Sequence, residues 1–521
     1  MNKKIFSLAV VPAILLCGCN FGKKQDVPDD KTIIRLYSYS GGYGKQWTEN
    51  LIRRYTEAVK DVSFEPGKTG VYFLPTYNKN SPVTKDDIIP TDYDVMFTES
   101  ASINEWHMDG CFECIDDVVN EANEFEPGKK IVDKMTDIQK EAMKMSDGKY
   151  YALPTYSGVY GIIYNKDLFN SKGYYFKDGG GFVTSSTDKK TAGPDGEFNT
   201  YDDGLPVTTA DFIDLCYKIS NSDVPFLFSG QYRSQYAVSW LFNVAASIDG
   251  EQVTRARYDF TDINDVPVAK ISGNAVVHDQ YETVDVTSKT GYELYRSKGF
   301  TEAFKFLDEI ITTNLTKNGG QFTSNVECYD NTCTHQDAQT YFISPQPGSK
   351  RAAMLMEGTW WYNEASDFGS FDYIEGSKNM NFGFMPFPHL ENQTENIAID
   401  SMRTAAFIRK DSDRSAGKLK ACKDFLRFAY TDESMADFSV TTNTFFSLNY
   451  SMGSRRNELN SYGKSLFDYK ESTHTHILPS IANNDIFRQN EKKLLPHHSN
   501  LTFGTTNPVD YFKAGNHYDT A

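Results

Sequence analysis

Apolar and polar positions follow two periods along this chain, and the switches between them mark its elements. Thr32 to Tyr39 is rich in β-branched and aromatic residues and predicts a strand, with a turn at Ser40-Gly41-Gly42-Tyr43-Gly44. Trp47, Leu51, Tyr55 and Val59 then recur every four residues, which makes one face of a helix apolar. Strand, glycine turn and helix in that order begin an α/β layer. The turn lies at the carboxyl end of its strand, where open α/β sheets place ligand crevices. Tyr93 to Thr98 and Tyr160 to Tyr164 predict buried strands, and Thr404 to Ile408 predicts another. Ala303, Phe304, Leu307, Ile311 and Leu315 trace one amphipathic stripe; Leu419, Cys422, Leu426 and Ala429 trace a second. Two stretches break the pattern. Residues 177–206 are rich in Gly and Asp, and residues 252–289 are polar with short β-like runs, so both predict insertions on a larger scaffold.

The amino terminus follows a different rule. Lys3 and Lys4 precede the apolar run Ile5 to Leu16, which has the length of a signal-peptide core and is too short for a dependable membrane span. Leu16-Cys17-Gly18-Cys19 resembles a bacterial lipobox. Small Gly18 admits a peptidase, and Cys19 then receives lipid on its sulfur. A plain secretory signal with an incidental cysteine is the other reading. Residues 20–31 are polar and charged, as a tether between membrane and folded domain requires. The remaining chain is too long for one hydrophobic core.

A formal net charge of −17, with no sustained basic stripe, argues against nucleic acid and against anionic lipid surfaces. A neutral ligand is favoured, although a local site can override the global field. Export permits disulfides, and Cys111 with Cys114, or Cys328 with Cys333, are close enough in sequence to form them. Free thiols remain the alternative, and Cys328, Cys333 and His335 form a zinc-like set without an evident fourth ligand. Asp195, Glu197, Asn199, Asp202 and Asp203 alternate with glycines, a pattern suited to a structural Ca²⁺. The EF-hand pattern fails because its twelfth position is Pro206, and an acidic turn before a helix is the other reading.

Five ordered stretches carry a family resemblance. Gly41 to Tyr55, Tyr93 to Phe97, Tyr151 to Pro154 with Ile162 to Phe169, Ala353 to Trp360, and Phe384 to Pro388 resemble carbohydrate-binding extracellular solute-binding proteins, the family that includes maltose-binding protein. The resemblance implies an α/β, two-lobed periplasmic-binding-protein-like fold with a ligand cleft between lobes that close over a sugar. It implies one lobe from residues 32–156 and 399–442, and a second from 157–398 and 443–521. Residues 1–19 are then the leader and 20–31 the tether.

The same resemblance suggests site residues. Trp360 matches the family's stacking tryptophan, and Trp361 would double that surface; a core role is the alternative for each. Gln231 and Tyr232 match a turn that contacts sugar, against an ordinary helix-entry loop. Glu99 and Ser100 follow the strand after which a hydroxyl acceptor is expected. Tyr43 reaches either the cleft or the surface, and Tyr156 with Ser157 lies at the first crossing between lobes. Aromatic faces beside amides and carboxylates meet the needs of a sugar. The implied function is a non-catalytic lipoprotein on the outer face of the cytoplasmic membrane. It would act as a monomer, require no cofactor, and hand a neutral carbohydrate to ABC permease subunits. A secreted glycoside hydrolase needs two carboxyls about 5–10 Å apart, and no such pair stands out. A surface glycan adhesin would explain the anchor but not the five stretches.

Overall fold

The computed structural model describes residues 27–227, 233–273, 275–312, 334–344, 350–391, 393, 395–494 and 508–514. The leader, the tether through residue 26, Gln231, Tyr232, Cys328 and Cys333 lie outside the described residues. The strands are β1 (Thr32–Tyr39), β2 (Val71–Asn78), β3 (Val95–Thr98), β4 (Tyr160–Asn165), β5 (Val224–Leu227) and β6 (Ile263–Ser272). They continue as β7 (Ala275–Val286), β8 (Ala352–Gly358), β9 (Phe382–Met385), β10 (Asn396–Asp400), β11 (Ala405–Ile408) and β12 (Thr475–Pro479).

Two four-stranded sheets organise two lobes. The first has the order β11-β3-β1-β2, with β1 parallel to both β2 and β3, and β11 antiparallel to β3. Its core follows from the apolar face predicted over the helix Gln46–Ala58: Trp47, Leu51 and Tyr55 are buried. The Trp47 ring meets Phe97 of β3 edge-on at 5.3 Å, and the Tyr55 ring meets Phe425 of the helix Ala416–Ala429 at 5.2 Å. Each such ring contributes about 1.5–3 kcal/mol by burial. The second sheet has the order β5-β8-β4-β9, with β4 antiparallel to β8 and to β9. The helix His335–Ile343 packs on β8, and the helix Ser461–Glu471 packs on β9.

Both predicted insertions sit in the second lobe. Residues 177–206 form a loop closed by bridges between Phe176 and Phe182 and between Lys177 and Lys190. The other stretch is partly helical: Arg233–Asp259 is one helical element broken at Gly250 (φ 81°), so residues 252–259 are helix rather than polar insertion. Its apolar residues Val253 and Ala256 pack with Val266, Val268 and Val286 of the β6–β7 hairpin. A second small core explains why a polar-looking segment holds regular structure.

The chain passes between the lobes three times, and the passages are bonded side by side. Leu153 pairs with Ala406 on the first lobe, and Val159 pairs with Asp400 at the second. The Thr155 N–H donates to Thr404 Oγ1 (3.0 Å), and the Ser447 N–H donates to the Thr155 carbonyl (2.6 Å). Ser157 Oγ lies 3.0 Å from Ser447 Oγ. Hydrogen-bonded extended segments bend without exposing backbone polar groups, which suits a hinge.

The tail does not stay on the second lobe. The Asn104 amide in the helix Ile103–Met108 donates to the Ala482 carbonyl (3.1 Å), and Asn484 donates to the Asp259 carbonyl. The helix Asp485–Leu494 then packs on Ile103–Met108 of the first lobe. Residues 480–494 therefore strap the lobes together beside the covalent crossings.

Candidate ligand-binding cleft

A cleft of about 1040 Å³ opens between the lobes. That is at the top of the range for small-molecule sites, so it has room for more than one sugar ring. The first lobe lends Tyr39, the Gly41-Gly42 turn, Lys79, Asn80, Pro82 to Lys85, Glu99, Ser100 and Trp106. The second lends Tyr160, Tyr236, Phe242, Asn243, Tyr258, His335, Trp360, Glu364 and Asp367, while Ser401, Met402 and Arg403 come from a crossing segment.

Trp360 stands two residues after β8 and precedes the helix Trp361–Phe368, so the end of a buried strand fixes it. It is 6 % exposed, with its ring over Gly358 and edge-on to Tyr160 at 4.9 Å. A Cβ at Gly42 would stand 2.7 Å from Trp360 Cβ, and the Asn363 amide donates to the Gly42 carbonyl at 3.0 Å. The glycine turn is thus the place where one lobe meets the other. Only a residue without a side chain permits that approach.

Glu99 is 8 % exposed and accepts from the Tyr156 hydroxyl at 2.9 Å. Burial pushes its carboxyl up to about 8; the Tyr156 bond opposes this, and Glu364 and Asp400 add to it. At neutral pH it is largely protonated, so it both donates and accepts. Across the cleft, Glu357 accepts from Tyr236 (3.0 Å) and Gln339 (3.1 Å), and Gln339 also donates to Glu364 (2.7 Å). Burial and the neighbouring Glu364 raise the Glu357 carboxyl. His335 stands 3.4 Å from Glu364; burial lowers its basicity, but the Glu364 contact outweighs that and the net shift is upward.

Three suggested residues are placed elsewhere. Tyr43 is buried, its hydroxyl donating to the Ser157 carbonyl (2.9 Å) and lying 2.8 Å from Thr359 Oγ1. Tyr156 is buried beneath the cleft floor, stacked on Phe438 and 4.2 Å from the Tyr43 ring. Both rings lock the crossing region instead of facing ligand. Trp361 has no exposed surface and packs against Phe382 (5.0 Å) and Tyr462 (5.2 Å). One step along a helix rotates a side chain by about a quarter turn, so Trp361 faces the core while its neighbour faces the cleft.

In the acidic loop the side chains bond the loop itself. Asp202 and Asp195 both accept from the Thr200 hydroxyl (2.8 and 3.3 Å), and Asp203 accepts from the Asn199 and Thr200 amides. Asn199 offers its backbone N–H, and the Glu197 carboxylate points to His474 at 3.7 Å. The Asp195, Asp202 and Asp203 carboxylates accept from the loop's own donors. Among the described residues no group of three or more His, Cys, Asp or Glu has an arrangement that could hold a metal ion. Cys111 and Cys114 are free thiols.

Sequence reasoning missed Trp106, Tyr236, Tyr258 and Arg403. Trp106 had a signal, an aromatic one short helix beyond Glu99. Tyr236 and Tyr258 had none, because the helix carrying them is apolar in one half and polar in the other.

The buried carboxylates make stability pH-dependent. Glu99 (about 8) and Glu491 (about 7), with Glu357, Asp202 and Asp400, titrate above their unfolded values. The folded state binds more protons, so their contribution is fully present below about pH 4 and is lost as pH rises through the folded values. Lys470, lowered by burial to about 7, acts in the opposite sense only above that pH. The melting temperature therefore rises from pH 7.5 to 5.5, and Glu99→Gln reduces the rise. A flat or inverted profile in scanning calorimetry contradicts this assignment.

Two α/β lobes, three bonded crossings and a cleft between them define the class of two-lobed ligand receptors. The sequence is more specific: residues 85–454 match the bacterial extracellular solute-binding protein family, and the chain belongs to it. Solved structures share the fold. A chitin oligosaccharide binding protein is 15% identical, with a TM-score of 0.54 over 94% of this chain and 99% of that one. RafE from Streptococcus pneumoniae is 14% identical (TM-score 0.53, 94% and 99% covered). The GacH receptor of Streptomyces glaucescens is 13% identical (TM-score 0.52, 93% and 97% covered). No curated protein sequence matches. Among the described residues, no helix is long and apolar enough to cross a membrane.

Proposed function

We propose that this protein captures an oligosaccharide of mainly uncharged rings and delivers it to the membrane subunits of an ABC importer. The observation that carries this is the lining of the cleft. Trp106, Tyr160, Tyr236, Phe242 and Trp360 supply flat apolar faces, and Glu99, Asn243 and Glu364 stand among them. Rings of sugar carry C–H faces and hydroxyl edges, and this lining offers a partner to each. Structural relatives support the ligand class: one is described as binding chitin oligosaccharide, one was solved with raffinose and one with acarbose. A bound sugar stabilises the folded state, by about 2.7 kcal/mol at a hundred times its dissociation constant. Thermal denaturation across a panel of oligosaccharides therefore reveals at least one that raises the melting temperature. A panel without any shift contradicts the reading.

The receptor acts as a monomer held to the outer face of the cytoplasmic membrane by lipid on Cys19, with residues 20–31 as tether. The Leu16-Cys17-Gly18-Cys19 segment supports this. Cys19→Ala abolishes incorporation of labelled lipid and moves the protein to the soluble fraction. Retention of label and of membrane association in that variant overturns the anchor.

A further inference from the structure

Glu99, Glu364 and Asp367 are acidic members of the cleft lining, Arg403 is a cationic one, and Ser480 brings the tail to it. Asn484 there bonds the carbonyl beside Tyr258, Ala482 bonds Asn104 at the start of the Trp106 helix, and Glu491 interacts with Arg403. Tyr258, Trp106, Ser480 and Arg403 all line the cleft.

Arg403 is held in a costly conformation. Its φ is 46°, and Ser100, on the facing segment, has a φ of 55°. The Ser100 N–H donates to the Met402 carbonyl (2.9 Å) and the Ala101 N–H to the Arg403 carbonyl (3.0 Å), which locks the two left-handed residues together. Left-handed backbone is unfavourable for a residue with a side chain, and it clusters at ligand sites. Among the described residues the Arg403 guanidinium has no hydrogen-bond acceptor and no ion pair. Glu491 acts on it only at longer range, and is itself engaged by the Glu105 N–H. Tyr258 is 4 % exposed, and its hydroxyl is buried without a partner. The planar cationic fork of Arg403 thus stands in the cleft lining without an anionic acceptor bonded to it.

We propose that Arg403 forms a subsite for a carboxylate in the cleft, so that the captured oligosaccharide carries a hexuronic acid ring. This rests on the carbohydrate reading above and narrows it. The overall charge of −17 opposes an anion at long range, but a bidentate guanidinium contact acts at short range, where screening leaves it dominant. A single acidic ring on an otherwise neutral chain satisfies both the guanidinium and the overall field.

The test pairs glucuronic- and galacturonic-acid-capped oligosaccharides with their carboxyl-reduced neutral counterparts, titrated calorimetrically into the whole secreted chain. The best acidic member binds about tenfold or more tighter than its neutral counterpart. That preference disappears in Arg403→Met and in Arg403→Gly. Because glycine relieves the left-handed strain, Arg403→Gly melts no lower than the wild type, which separates a binding role from a structural one. Equal affinity for both members of every pair, or a preference that survives Arg403→Met, overturns the subsite. Neutral oligosaccharides bound in a Trp360-dependent manner would then leave the carbohydrate reading standing, whereas no binding by any member overturns both.

Discussion

Trp360→Ala weakens sugar binding by about 2 kcal/mol or more, roughly thirtyfold, when titrated into protein verified as folded. The ring stands at the end of β8 in the cleft wall, held from behind by Gly358 and from the side by Tyr160. Alanine removes the flat face offered to a sugar but keeps the Cβ that Gly42 approaches. The loss falls on the bound state. Trp360→Phe keeps part of the face and retains part of the affinity. Unchanged affinity in folded Trp360→Ala would return this ring to the core and remove the platform from the site.

The adjacent residue gives the opposite result. Trp361→Ala costs about 3–5 kcal/mol of stability, the usual penalty for emptying a large ring from a packed core. Its indole fills the space between Phe342, Phe382 and Tyr462, with no surface exposed. Denaturant titration detects the loss as a lower midpoint, while affinity in the folded fraction stays near that of the wild type. A thirtyfold affinity loss with unchanged midpoint would mean that Trp361, not Trp360, faces ligand.

Legibility in the sequence tracked periodicity. Thr32 to Tyr39 and the Trp47-Leu51-Tyr55 stripe were readable because strand and helix periods are strong when one face is buried. The helix Arg233–Asp259 was not, since its first half is apolar all round and its second half is polar. A three-dimensional break at Gly250 separates them. In the cleft, Glu99, Ser100 and Trp360 were reachable because each lies within two residues of the end of a recognisable strand, and the ends of strands are where such sheets place ligands. Tyr43 and Tyr156 also sit beside strands, but the glycine turn and the crossing rotate their rings inward, and no local pattern encodes that rotation. Arg403 was invisible for another reason. Its backbone is bent by bonds to Ser100 and Ala101, about three hundred residues earlier in the chain, and long-range pairing leaves no mark on nearby sequence.

The central claim is that the cleft takes a sugar and does no chemistry on it. Isothermal titration of oligosaccharides into the purified chain, with the sugar recovered and analysed afterwards, tests this most directly. The account predicts saturable binding of one molecule per chain, lost in large part in Trp360→Ala, with the glycosidic bonds of the recovered sugar intact. Failure of every oligosaccharide to bind, or recovery of cleaved sugar, would contradict it.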